Sequence, residues 1–253
     1  MTRSSVPAAR TVTAGRLAEL DGLGPYFGVE VHLSGEPLRP PWQPLGALTA
    51  TPASPGVLTA RIGEVRERLA DAAGCAAADV EFRVAASVAQ LGLCSRLLSP
   101  ALGAAAAGWA LPVDTARARW IPALGGPFRL SLPDPASADS PPQDGIAACL
   151  SLLAGPVAQI TRAVEAMAVS PRVLWGNVAS AVSGAAAMIA EARPDLAAQA
   201  AAAATAMLRY PALTGTHEGS PGAGFRRRNC CLIYRLSPPG SASYCGDCVL
   251  GPA

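Results

Sequence analysis

The chain has 253 residues, a net charge of +2 and an apolar fraction of 51%. That length supplies a sizeable core in one large domain or two small ones. All twenty basic residues are arginine, and a balance this close to neutral gives no electrostatic case for a nucleic-acid partner.

Residues 1–10 carry no apolar core of the kind a secretory signal needs, which points to the cytoplasm. A helical stretch at the N-terminus is expected to give way to short extended pieces and turns, densest at Arg39-Pro40-Pro41-Trp42-Gln43-Pro44. Leu58, Ile62, Val65 and Leu69 then step in fours and threes, one face of a helix ending near Gly74. Asp79 is expected to open a second helix with Val84, Val88 and Leu91 inward. Ser99-Pro100 reads as the N-cap and first-turn proline of a third, alanine-rich helix.

Between Arg117 and Leu132 the period changes to two. Ala118 and Trp120, then Phe128, Leu130 and Leu132, alternate with polar residues around Gly125-Gly126, predicting a β-hairpin. The Asp, Ser and Pro run at 133–145 marks a candidate boundary. Beyond it Ile146, Leu150, Leu153, Val157, Ile160, Val164 and Met167 trace a helix kinked at Pro156. Ser170-Pro171 opens another helix and Pro194-Asp195 a last one running to Leu208, followed by a flexible lead from Pro211 to Gly224. The expected fold class is therefore α+β, mostly helical, with a small antiparallel hairpin or sheet and a loop-rich C-terminal module. The expected parts are 1–135, 145–210 and 224–253, within one compact unit or several. The most apolar stretches are too short to span a bilayer or are interrupted by Gly155-Pro156, Arg162 and Glu165, leaving at most a loose membrane association.

Four of the seven cysteines fall within residues 230–248, as Cys230-Cys231, a thirteen-residue spacer, and Cys245-Gly246-Asp247-Cys248. Four thiolates suit a structural zinc or an iron–sulfur cluster far better than a hard cation. Cys245-x-x-Cys248 has the pair spacing zinc sites use. Adjacent cysteines do not, because neighbouring side chains in an extended segment point to opposite faces unless the backbone turns sharply. Spacing alone leaves zinc and iron–sulfur level, with a disulfide or idle thiols behind them. Cys75, Cys94 and Cys149 lie in alanine-rich stretches and read as small core residues. His32 and His217 lack ligand spacing to the cysteines.

The run from Phe225 through Arg226-Arg227-Arg228-Asn229-Cys230-Cys231 to Leu236, followed by Cys245-Gly246-Asp247-Cys248-Val249-Leu250, resembles the C-terminal signature of the FhuF family of ferric siderophore reductases. Ser170 to Asn177, with Trp175-Gly176-Asn177 at its end, is similar to a second, upstream family segment. The spacer between the cysteine pairs is longer than the family's, and Ser237 to Ser243 are turn formers that a surface loop would absorb.

The resemblance implies a 2Fe-2S cluster on Cys230, Cys231, Cys245 and Cys248. It also implies a ferric hydroxamate-type siderophore as substrate and a ferredoxin or flavin-linked reductase as electron donor. Trp175, Asn177, Arg226, Arg227 and Arg228 become candidate substrate contacts. Such a cluster is a dianion when oxidised and gains charge on reduction, so the arginines, with Arg235, are alternatively read as tuning its potential or docking the donor. A non-catalytic iron or redox sensor, and a siderophore-binding protein with a structural zinc, are the rival readings.

Overall fold

Apolar residues at helical spacing nucleate the first described core elements of the computed structural model, which describes residues 6–49, 56–123, 126–134, 144–222, 224–236 and 244–251. After α1 (Val6–Asp21), helix α2 (Val57–Ala73) buries Leu58 and Ile62, with Val65 and Leu69 packed against the same core. It stops at Gly74, whose left-handed φ of 66° lets the Gly74 and Cys75 amides cap carbonyls of the last turn.

Helix α3 (Phe82–Ala106) departs from expectation at both ends. Asp79 sits in a short 3-10 turn, and Glu81 occupies the N-cap. Ser99-Pro100 opens no new helix: Pro100 lies inside α3, where its missing N–H withdraws the donor from the Arg96 carbonyl. An interior proline costs about 3 kcal/mol, and burial offsets it here. Every residue from Arg96 to Ala104 is buried, in packing against α4 (Gly145–Leu152), α6 (Pro171–Ala192) and α7 (Ala197–Leu208). The kink expected at Pro156 is a π-helical turn over Leu153–Val157, joining α4 to α5 (Ala158–Glu165) without a break. Pro171 stands at the first turn of α6 as expected, and α3 and α6 form the most extensive helix pair.

The hairpin is formed by β3 (Arg119–Ile121) and β4 (Arg129–Pro133), with Trp120 opposite Leu130 and the Trp120 and Phe128 rings edge to face at 5.4 Å. The sheet it belongs to is mixed. Strand β2 (Gln43–Pro44) pairs antiparallel to β3, but β1 (Glu30–His32) pairs parallel to β4, giving the order β1-β4-β3-β2. The fold class is α+β and mostly helical. The expected lead at 211–224 contains β5 (His217–Glu218), paired with β6 (Arg226–Arg227). One continuous cluster of buried apolar side chains runs from Leu20 to Phe225. Most of the candidate boundary at 133–145 lies outside the described residues.

The α4–α5 rod and α6 are long and apolar enough to cross a membrane by composition, but both pack into this core. Cys94 and Cys149 are buried as expected, whereas Cys75 is exposed, because it follows the Gly74 cap and leaves the helix. Burial pushes the thiols of Cys94 and Cys149 up to about 12.

Arg96, on the side of α3 facing the sheet, is buried and donates to the carbonyls of Phe128, Tyr26 and Gly28. Burial lowers its pKa to about 10, which keeps it charged at neutral pH. Arg96→Leu strands three carbonyls at the helix–sheet junction and is expected to cost about 3 kcal/mol in urea unfolding. A loss below about 0.5 kcal/mol would show that the sheet is held by its apolar contacts alone.

Candidate metal centre

The C-terminal module lies against the N-terminal halves of α3 and α6, tied down by polar contacts from both. Ser87 Oγ of α3 donates to the Cys231 carbonyl at 2.9 Å, and Ser180 Oγ of α6 donates to the Asp247 carboxylate. The Arg227 amide donates to the Asp247 carbonyl, joining β6 to the Cys245–Cys248 turn. Arg235 pairs with Glu81 at the N-cap of α3, 2.6 Å apart. Hydrogen bonds from Arg235 and Arg83 hold the Glu81 carboxyl below its ordinary range.

The sharp backbone turn that adjacent cysteines require is present. Leu232 follows the pair with φ of 74°, a left-handed conformation rare for a residue with a branched side chain, and its amide points back at Cys230 Sγ, 3.2 Å away. The second pair is built on a tight turn in which the Cys248 amide donates to the Cys245 carbonyl. The Leu250 amide then lies 3.4 Å from Cys248 Sγ. Each pair thus has at least one sulfur facing a backbone N–H, the arrangement that stabilises thiolates bound to metal.

The sulfurs of Cys231 and Cys245 are 3.5 Å apart. Two thiolates on one tetrahedral metal with ~2.3 Å bonds stand about 3.8 Å apart, so this pair fits a single metal. The contact between them pulls the Cys231 thiol down against the cost of burial and pushes that of Cys245 up. Burial raises Cys230, opposed by the Leu232 amide, and Cys230 lies within electrostatic reach of Cys231, Cys248 and Arg227. Among the described residues no three metal-ligating side chains converge on one point. Cys231 and Cys248 are buried, while Cys230 and Cys245 are half-exposed, so the module has an edge at the surface.

The arginine run divides. Arg226 Nη2 straps the chain end by donating to the carbonyls of Val249 and Gly251. Arg228 faces solvent beside Glu218 at 3.7 Å. Arg227, between them, is only 1% exposed and donates to Asn177 Oδ1 at 2.5 Å. Its Nε and Nη1 are buried without a hydrogen-bond partner among the described residues. A Cβ on Gly176 would stand 3.2 Å from Arg227 Nη2, which explains a glycine there. Asn177 is fully buried, its Nδ2 within 3.0 Å of Ser87 O, Ser87 Oγ and Gln90 Oε1. Neither Asn177 nor Arg227 reaches the surface to touch a docked molecule. Trp175 is half-buried against Tyr210.

Ser87 and Gln90 escaped the sequence reading, although polar residues three apart within the largely apolar stretch from Val84 to Cys94 were a signal of a buried polar partner. His32 bonds Ser131 and His217 stacks on Phe225. A cavity of about 410 Å³ between α1 and the sheet, lined partly by Asp21, Glu30, Arg96 and Arg129, contains no cysteine. The turn-forming spacer at 237–243 lies outside the described residues.

Two cysteine pairs with amide-facing sulfurs, in a module whose buried Arg227 has no counter-charge among the described residues, fit an anionic thiolate-bound metal group. The class is an iron–sulfur protein: residues 227–250 match the family model of the FhuF 2Fe-2S C-terminal domain. The chain thus carries a C-terminal module similar to that of the FhuF family, and the cofactor of this module is a 2Fe-2S cluster. No curated protein and no solved structure matches the chain.

The left-handed turn at Leu232 gives a direct test. Leu232→Gly, which relieves the backbone, should retain iron at wild-type stoichiometry. Leu232→Ile, equal in volume but β-branched, should lose most of it on desalting. Equal retention by both variants would show that this turn does not shape the site.

Proposed function

We propose that the protein is a cytoplasmic ferric siderophore reductase whose 2Fe-2S cluster is held by Cys230, Cys231, Cys245 and Cys248. The observation that carries this reading is the pairing of a family-matched cysteine module with a surface edge at Cys230 and Cys245. Bound there, the cluster supplies a one-electron redox centre close to solvent. The remaining work falls to the chain.

Leu232 and Leu250 amides face the sulfurs and favour the thiolate form, and Ser87 fixes the backbone of Cys231. Exposed Arg228, with Arg235 seven residues further on, presents positive charge on this module for an anionic donor such as a ferredoxin or a flavin-linked reductase. A ferric hydroxamate needs only to approach the half-exposed edge. Ferric iron is gripped by hard oxygen donors, and ferrous iron, with lower charge density, is held far less tightly, so one electron releases the metal. No acid or base is required of the protein, because water can reprotonate the hydroxamates.

Turnover of a ferric trihydroxamate by the anaerobic protein, with a chemical donor and a ferrous chelator as trap, is the test. Ferrous complex formed at many equivalents per protein supports the reductase. A cluster that reduces and reoxidises without releasing chelated iron would favour a sensor. Serine in place of any of Cys230, Cys231, Cys245 or Cys248 is expected to cut cluster content and turnover by at least about tenfold, since a hard alkoxide replaces a thiolate poorly. Serine at Cys75, Cys94 or Cys149 should leave the visible spectrum unchanged. Bleaching by one of those three, with a module cysteine silent, would overturn the ligand set.

A further inference from the structure

The four arginines around the cysteine pair are chemically alike, but the fold satisfies only three. Arg226 is taken up by two carbonyls, Arg228 by Glu218 and Arg235 by Glu81. Arg227 is buried deepest and has no salt bridge among the described residues; two of its three guanidinium nitrogens have no partner. A charge taken from water persists only where another charge or a full set of hydrogen bonds compensates it. Asn177 supplies one acceptor, clamped in place by Ser87 and Gln90, and the Val173 carbonyl supplies a longer contact of 3.4 Å. Neither carries charge.

Arg227 stands three residues before Cys230, and its charge acts on the thiols of both Cys230 and Cys231. Ser87 also holds the Cys231 carbonyl, so one buried node fixes both the guanidinium and the backbone of a cysteine.

We propose that Arg227 is the internal counter-cation of the four-cysteine site and its positioning residue, held by Asn177 and completed only when an anionic cluster is bound. The inference rests on the 2Fe-2S reading of that site. Two consequences follow from the sign of the charge. A fixed cation stabilises the reduced, more negative cluster over the oxidised one, so removing it lowers the reduction potential. In the cluster-free protein the same cation is an uncompensated burden, so removing it should not weaken the apo fold.

The experiment compares wild type with Arg227→Met, Arg227→Lys and Arg228→Gln. Potentials are read by anaerobic spectroelectrochemistry of the loaded proteins, and apo stabilities by urea unfolding. Arg227→Met should shift the reduction equilibrium about tenfold toward the oxidised form, ~59 mV for a one-electron couple. Arg227→Lys and Arg228→Gln should each shift it less than about threefold, the first because the charge is kept and the second because that charge is solvated. Apo Arg227→Met should unfold at the same urea concentration as apo wild type or higher.

An unchanged potential in Arg227→Met, or a less stable apo form, would overturn the proposal and leave Arg227 as a packing residue. Should Arg227→Met refuse the cluster, the apo comparison and the Arg227→Lys potential decide: both as expected supports the proposal, either one failing overturns it. A wild-type protein without a two-iron cluster would sink the reading of the site first, whereas a wild-type cluster indifferent to Arg227 sinks this inference alone.

Discussion

A guanidinium buried against an asparagine, with no carboxylate paired to it among the described residues, is the constraint around which the C-terminal half is organised. Arg227 reaches Asn177, Asn177 reaches Ser87 and Gln90, and Gln90 reaches on to Thr161 and the Leu174 carbonyl, so a single polar node links α3, α5, α6 and β6. Buried polar groups are tolerated only when partnered, and this node is fully partnered except on the side of the guanidinium. The packing of α3 on α6 therefore sets where the cation sits, and the cation sets where an anionic group belongs.

The same geometry separates functions that the sequence presents as one basic run. In an extended segment successive side chains point to opposite faces. Strand β6 is only Arg226–Arg227, yet it is enough to send Arg227 inward while Arg226 turns to the chain end and Arg228 meets solvent. Alternation, not composition, decides which arginine meets the buried asparagine and which remain near the surface. The sharp turn at Leu232 performs the matching task for the cysteines, bringing an amide back onto Cys230 while Cys231 approaches Cys245.

Periodicity made much of this fold legible in advance. The face of α2, the β3–β4 hairpin, the proline start of α6 and the stripe through Val157, Ile160 and Val164 were all readable because local pattern and tertiary burial agree there. Pro100 was misleading because burial of α3 outweighs a local break signal, and the parallel pairing of β1 was hidden because three residues carry too little pattern to fix a neighbour. The module itself stood out through cysteine spacing. Its supports did not: Ser87, Gln90 and Arg227 meet only through contacts spanning up to 144 positions in the chain, and no local pattern encodes such a meeting.

The central claim is that these cysteines carry two irons and two sulfides beside a buried cation. The most direct measurement is the iron, acid-labile sulfide and zinc content of anaerobically purified protein, taken with the paramagnetic resonance spectrum after one-electron reduction. The account predicts a red-brown protein with iron and sulfide in equal amounts and a signal from one unpaired electron per cluster. A colourless protein holding stoichiometric zinc, silent in that spectrum, would contradict it.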